Sequence, residues 1–78
     1  MSNKITKEQV TGARAMLSLS QEDLANLCDL TRSTIVNLEL DSGKKTREST
    51  WEIIREAFEI NGIKFINNDT HIGVLLCK

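Results

Sequence analysis

The stretch Thr31 to Glu39 (TRSTIVNLE) holds three side chains suited to reading the edge of a base pair. The guanidinium of Arg32 presents two donors that fit guanine. The carboxamide of Asn37 can form two bonds to adenine, and the hydroxyl of Ser33 suits either kind of base. On a helix these three share a face turned away from Ile35 and Leu38. Each good two-bond pair is worth about 1–3 kcal/mol of discrimination. The plainer alternative is an ordinary solvated helix face, so the case rests on the elements around the stretch.

Those elements form a pattern. From Gln21 to Glu39 the chain reads as two short helical segments parted by a tight break, each opened by a hydroxyl residue. Ser20, with Asp23 three residues on, caps the first, and Thr31 caps the second. Leu24, Ala25, Leu27 and Cys28 recur at helical spacing on the first, Ile35 and Leu38 on the second. The turn falls at Cys28-Asp29-Leu30, with Asp29 in a left-handed conformation. Upstream, Thr6 and Gln9 form a capping box for a first helix that buries Val10, Ala13 and Leu17, and Gly12 marks close packing. Residues 1 to 5 read as a short frayed arm. Downstream, Leu40 to Arg47 reads as a polar loop, and Ser49 with Glu52 as a capping box for a last helix. That helix carries two apolar rows, Trp51, Ile54, Phe58 and Ile53, Ala57, Ile60, and stops at Gly62. The period then changes: strand residues from Ile63, a turn at Asn67 to Thr70, and the β-prone run His71 to Cys77 read as a hairpin. A lone hairpin is marginal in water, so it either pairs with a second subunit or folds back on its own domain.

Composition sets bounds. Seventy-eight residues, 40% of them apolar, make one small domain with a modest core. No run approaches membrane-spanning length and no signal-peptide pattern opens the chain, which leads to the expectation of a cytoplasmic protein. Cys28 and Cys77 form no metal-ligand spacing and His71 is the single histidine, so neither a zinc site nor another cofactor is expected. An enzyme is not expected either: the chain lacks a phosphate-cradling glycine loop and a metal cluster. The net charge is −1, yet four cations (Arg32, Lys44, Lys45, Arg47) face two carboxylates between residues 31 and 47, against six cations and nine carboxylates elsewhere. The basic charge therefore lies beside the base-reading stretch, and a dimer would double it.

The residues Leu19 to Ala25 (LSQEDLA) and Leu30 to Glu39 (LTRSTIVNLE) resemble the lambda-repressor-like, Cro-type (XRE) family of helix-turn-helix proteins, over roughly residues 4 to 61. The resemblance implies a mainly α domain of four or five short helices that binds operator DNA as a dimer, with residues 1–62 as the DNA-binding unit. Residues 63–78 would be a C-terminal β-hairpin of the same domain. It implies phosphate contacts from Gln21, Thr31 and Thr34, with Lys44, Lys45 and Arg47 of the basic loop beside them, and a structural pair between Arg14 and Glu39. The sequence departs from the family at Asp29, where glycine is usual, and in the spacing from Glu39 to Gly43. The hairpin stands in place of a fifth helix, and Ile63, Phe65, Ile72, Val74 and Leu76 are its expected dimer contacts. The leading expectation is a homodimeric transcriptional regulator, most simply a repressor, reading a palindromic operator through residues 31–39. The alternative is an antitoxin or anti-repressor that uses the same fold to hold a toxin or another regulatory protein.

Overall fold

The computed structural model describes residues 4–41 and 46–77. The chain is mainly helical: α1 (Lys7–Met16), α2 (Gln21–Cys28), α3 (Arg32–Asp41) and α4 (Glu48–Ile60) precede a hairpin of β1 (Ile63–Asn67) and β2 (Ile72–Leu76). No described helix is long and apolar enough to cross a membrane.

Local chemistry sets most of the boundaries. Capping boxes open α1 (Thr6 with Gln9) and α2 (Ser20 with Asp23). At the second, the Ser20 backbone N–H and hydroxyl hold the Asp23 carboxyl below its ordinary pKa. Both helices end in a left-handed residue that is not glycine: Ser18 and Asp29, each at φ 57°. The amides beyond them turn back, Leu19 N–H to Arg14 O at 2.9 Å and Leu30 N–H to Ala25 O at 2.8 Å, and both leucines pack against the core. At Gly62 (φ +93°) a Cβ would also lie 3.2 Å from the Cys77 carbonyl, so this position needs glycine twice over.

Three expectations are corrected. The last helix begins at Glu48 with Arg47 at its N-cap and no side-chain cap; Ser49 lies inside it, so the Ser49–Glu52 box does not form. The Glu48 carboxylate beside the helix dipole supplies the stabilisation a hydroxyl cap would have given. The loop after α3 starts two residues later than expected, since the helix runs to Asp41. The arm is not frayed at Lys4 and Ile5: Ile5 is buried in the core and the Lys4 carbonyl accepts from Asn67 Nδ2 at 2.9 Å.

The core joins Val10 and Ala13 of α1, Leu24, Ala25 and Cys28 of α2, Ile35 and Leu38 of α3, Ile54 and Phe58 of α4, and Ile63 of β1. Antiparallel register pairs Ile63 with Leu76, Phe65 with Val74 and Asn67 with Ile72 on the face turned to the helices. Phe65 meets Phe58 edge to face at a centroid distance of 5.9 Å, and a Cβ on Gly12 would lie 3.3 Å from Val74 Cγ2. The hairpin thus folds back on its own domain. Ile63, Phe65, Val74 and Leu76, expected at a dimer contact, pack against their own chain, and of that set only Ile72 stands open. The connecting loop is 68–71, one residue later than expected, and is closed by Asn68 Oδ1, which accepts from the Thr70 and His71 amides at 2.9 Å.

One polar side chain joins the helices to the hairpin. Gln9, 2% exposed, uses Oε1 to accept from the Thr6 amide, while its Nε2 donates to Ile66 O at 2.9 Å and Gly73 O at 3.0 Å. Ile66 turns its side chain to the opposite face of the hairpin and its partner Gly73 has none, which leaves the space that the amide fills.

Replacing Gln9 by alanine is expected to destabilise the fold by about 2 kcal/mol and to lower the melting temperature by roughly 10 °C, read by circular dichroism. Ser18→Gly is expected to act the other way, raising stability by about 1 kcal/mol in urea titrations because glycine adopts the left-handed backbone without a Cβ clash.

Candidate nucleic-acid interface

α3 is fixed from behind and open in front. Ile35 and Leu38 are fully buried, whereas Thr31, Arg32, Ser33 and Asn37 are exposed. The Thr31 hydroxyl caps the helix, accepting from the Thr34 amide at 3.3 Å and lying 3.0 Å from the Thr34 hydroxyl. Thr31 therefore acts as a cap while its side chain remains at the surface.

The far end of α3 is held by an ion pair. Arg14 Nε and Nη2 donate to Glu39 Oε2 and Oε1, both at 2.9 Å, and Arg14 Nη1 donates to Leu19 O at 2.9 Å. The two side chains are 17% and 10% exposed. A carboxylate in the last turn of a helix opposes the helix dipole, and α3 has no basic residue there, so α1 supplies the balancing cation. Two further donors converge on Glu39 Oε1: Thr11 Oγ1 at 3.3 Å and Gln21 Nε2 at 3.4 Å. Gln21, expected to anchor a phosphate, here turns its amide toward this cluster.

Thr34, Asn37 and Arg47 come together. With Thr46 and Thr50 they line an open cleft of about 330 Å³ between α3 and the start of α4. Sequence reasoning missed Thr46 and Thr50, as it missed Thr11; isolated hydroxyl residues carry no spacing signal. Lys44 and Lys45 lie outside the described residues. Arg32 and Ser33 stand at the N-terminal end of the same helix. What the arrangement offers is one exposed helix end carrying a guanidinium, a hydroxyl and a carboxamide, with a hydroxyl-lined cleft and a second guanidinium beside it. Among the described residues no cluster of His, Cys, Asp and Glu is suited to a metal ion.

A second feature lies on another face. Leu27, 46% exposed, and Ile53 and Ile60 of α4 are left open, and with the half-buried Ala57 and the buried Cys28 they line a shallow groove with Asp29 and Glu56 at its rim. Burial raises the Cys28 thiol pKa, which keeps it protonated and unreactive.

No family model matches the chain, and no curated protein matches it.

Arg14→Met is expected to cost about 3 kcal/mol in urea denaturation, because it strands a mostly buried carboxylate; adding Glu39→Leu should recover most of the loss, since an apolar pair leaves no uncompensated charge.

Proposed function

We propose that this chain is a sequence-specific DNA-binding transcriptional regulator with a lambda-repressor-like helix-turn-helix fold, acting in the cytoplasm as a homodimer on a palindromic operator. The observation that carries this reading is α3 itself, buried along Ile35 and Leu38, clamped at Glu39, and presenting Arg32, Ser33 and Asn37 outward. In this reading its N-terminal end enters the major groove, and two copies read half-sites about 10 base pairs apart. Arg32 and Asn37 discriminate among bases. Thr34, Arg47, Lys44 and Lys45 contact phosphates, which set register without carrying sequence information. Gln21 joins them by turning its amide from Glu39 to the DNA backbone. Repression follows from occluding the polymerase.

The acid-rimmed apolar groove favours a second reading, a protein-holding module of the antitoxin or anti-repressor kind. The two differ in which residues matter: Arg32 and Asn37 for the first, Leu27, Ile53 and Ile60 for the second.

Selection from a random DNA pool at about 100 mM salt tests the first reading. A palindromic consensus is expected from the native chain. The Arg32→Ala, Asn37→Ala double variant, folded by circular dichroism, is expected to lose about 2–6 kcal/mol of discrimination, the sum for two base contacts. Absence of enrichment from folded native protein would sink the reading.

A further inference from the structure

The hairpin has one edge that lacks protection. Cys77 N–H donates to Gly62 O at 2.7 Å and Asn68 N–H to His71 O at 2.9 Å. Antiparallel ladders alternate, so between these two points the bonds are exchanged by Lys64 with Leu75 and by Ile66 with Gly73. The N–H and C=O groups of Ile72, Val74 and Leu76 therefore point off the free edge of β2, and no described residue bonds them. Proteins guard such edges with lysine, proline, bulges or a covering segment. β1 carries Lys64, and the Lys4 carbonyl lies beside its end on Asn67. β2, Ile72-Gly73-Val74-Leu75-Leu76, carries no charge and no proline, and its register is continuous over five pairs.

The same edge is complementary to itself. We propose that β2 pairs antiparallel with β2 of a second copy about a two-fold axis at Val74, making one four-stranded sheet in the order β1-β2-β2-β1. In this register Val74 meets the partner's Val74 in a pair that exchanges both bonds, and Ile72 meets the partner's Leu76. All three outward amides and carbonyls of each β2 are satisfied. On the outer face, Leu75 lies opposite the partner's Gly73. Leu75 is 49% exposed, and a Cβ built on Gly73 meets nothing within 4 Å, so each copy offers one projecting leucine and one vacant position to receive it. Ile72, 55% exposed, is covered by the same pairing. This names the interface of the homodimer proposed above, and it stands on the sheet edge rather than on any DNA contact.

Sedimentation of the full chain without DNA, in a Cys77→Ser background, tests it. The native edge is expected to give a dimer. Leu75→Glu places a carboxylate opposite Lys64 within its own hairpin, which keeps the monomer folded, and is expected to weaken dimerisation about a hundredfold, two buried leucines being lost per dimer. Gly73→Cys and Leu75→Cys chains mixed under mild oxidation should form a mixed disulfide, because opposed residues of a non-hydrogen-bonded pair lie about 4.5 Å apart at Cα. Gly73→Cys and Leu75→Cys should each remain largely uncrosslinked alone. A monomer at all concentrations, a dimer indifferent to Leu75→Glu, or crosslinking of Leu75→Cys with itself would each overturn the proposal. DNA selection separates the two readings: a dimer that enriches no sequence counts against DNA reading alone, and enrichment by a chain whose dimer ignores Leu75→Glu counts against this interface alone.

Discussion

Everything presented by α3 depends on how Glu39 is held. A helix of ten residues is marginal by itself, and this one ends with a carboxylate against its own dipole. Arg14 reverses that penalty with two parallel bonds and uses its remaining nitrogen on the Leu19 carbonyl, so one guanidinium joins α1, the α1–α2 connection and the end of α3. Two charges brought this far out of water are stable only when their other hydrogen-bonding capacity is also met. Thr11 and Gln21 supply part of that on Glu39. The result fixes the rear of α3 and leaves Arg32, Ser33 and Asn37 exposed on its front.

The second constraint is Gln9. Apolar packing of Val74 and Phe65 could hold the hairpin against the helices in more than one position, since hydrophobic contact has no direction. Two hydrogen bonds from one buried amide to carbonyls on both strands have direction, and they select a single seat. The fold therefore uses a polar group at two joints of α1, Arg14–Glu39 with α3 and Gln9 with the hairpin, with apolar contacts filling the space between.

Signals confined to a few residues were legible in the sequence. The boxes at Thr6 and Ser20 and the left-handed Asp29 are local, and each appears where the pattern put it. The same pattern at Ser49 misled, because Trp51, Ile54 and Phe58 keep their phase wherever the helix starts, and the acidic residue at Glu48 opens it earlier. Ser18 gave no warning of its left-handed backbone, as serine lacks the bias of glycine or asparagine. The hairpin was visible in the change of period. Which way it faced was not, since alternation marks two faces without naming the one that meets the helices. Gln9 was explained by its cap and so concealed its second task, whose partners lie 57 and 64 residues away. Of the candidate site, the exposed trio on α3 could be read from spacing, while the cleft with Thr46 and Thr50 arises only from how α4 is laid beside α3.

The distance spanned by Gln9 also has a kinetic consequence. The helices are made before the hairpin, so during synthesis α1 emerges before the strands that cover Gln9 and Gly12. Long-range closure is slow relative to helix formation. A chain cut before β2 would leave the α1 face around Gly12 and Gln9 uncovered, because the groups that cover it lie on the hairpin.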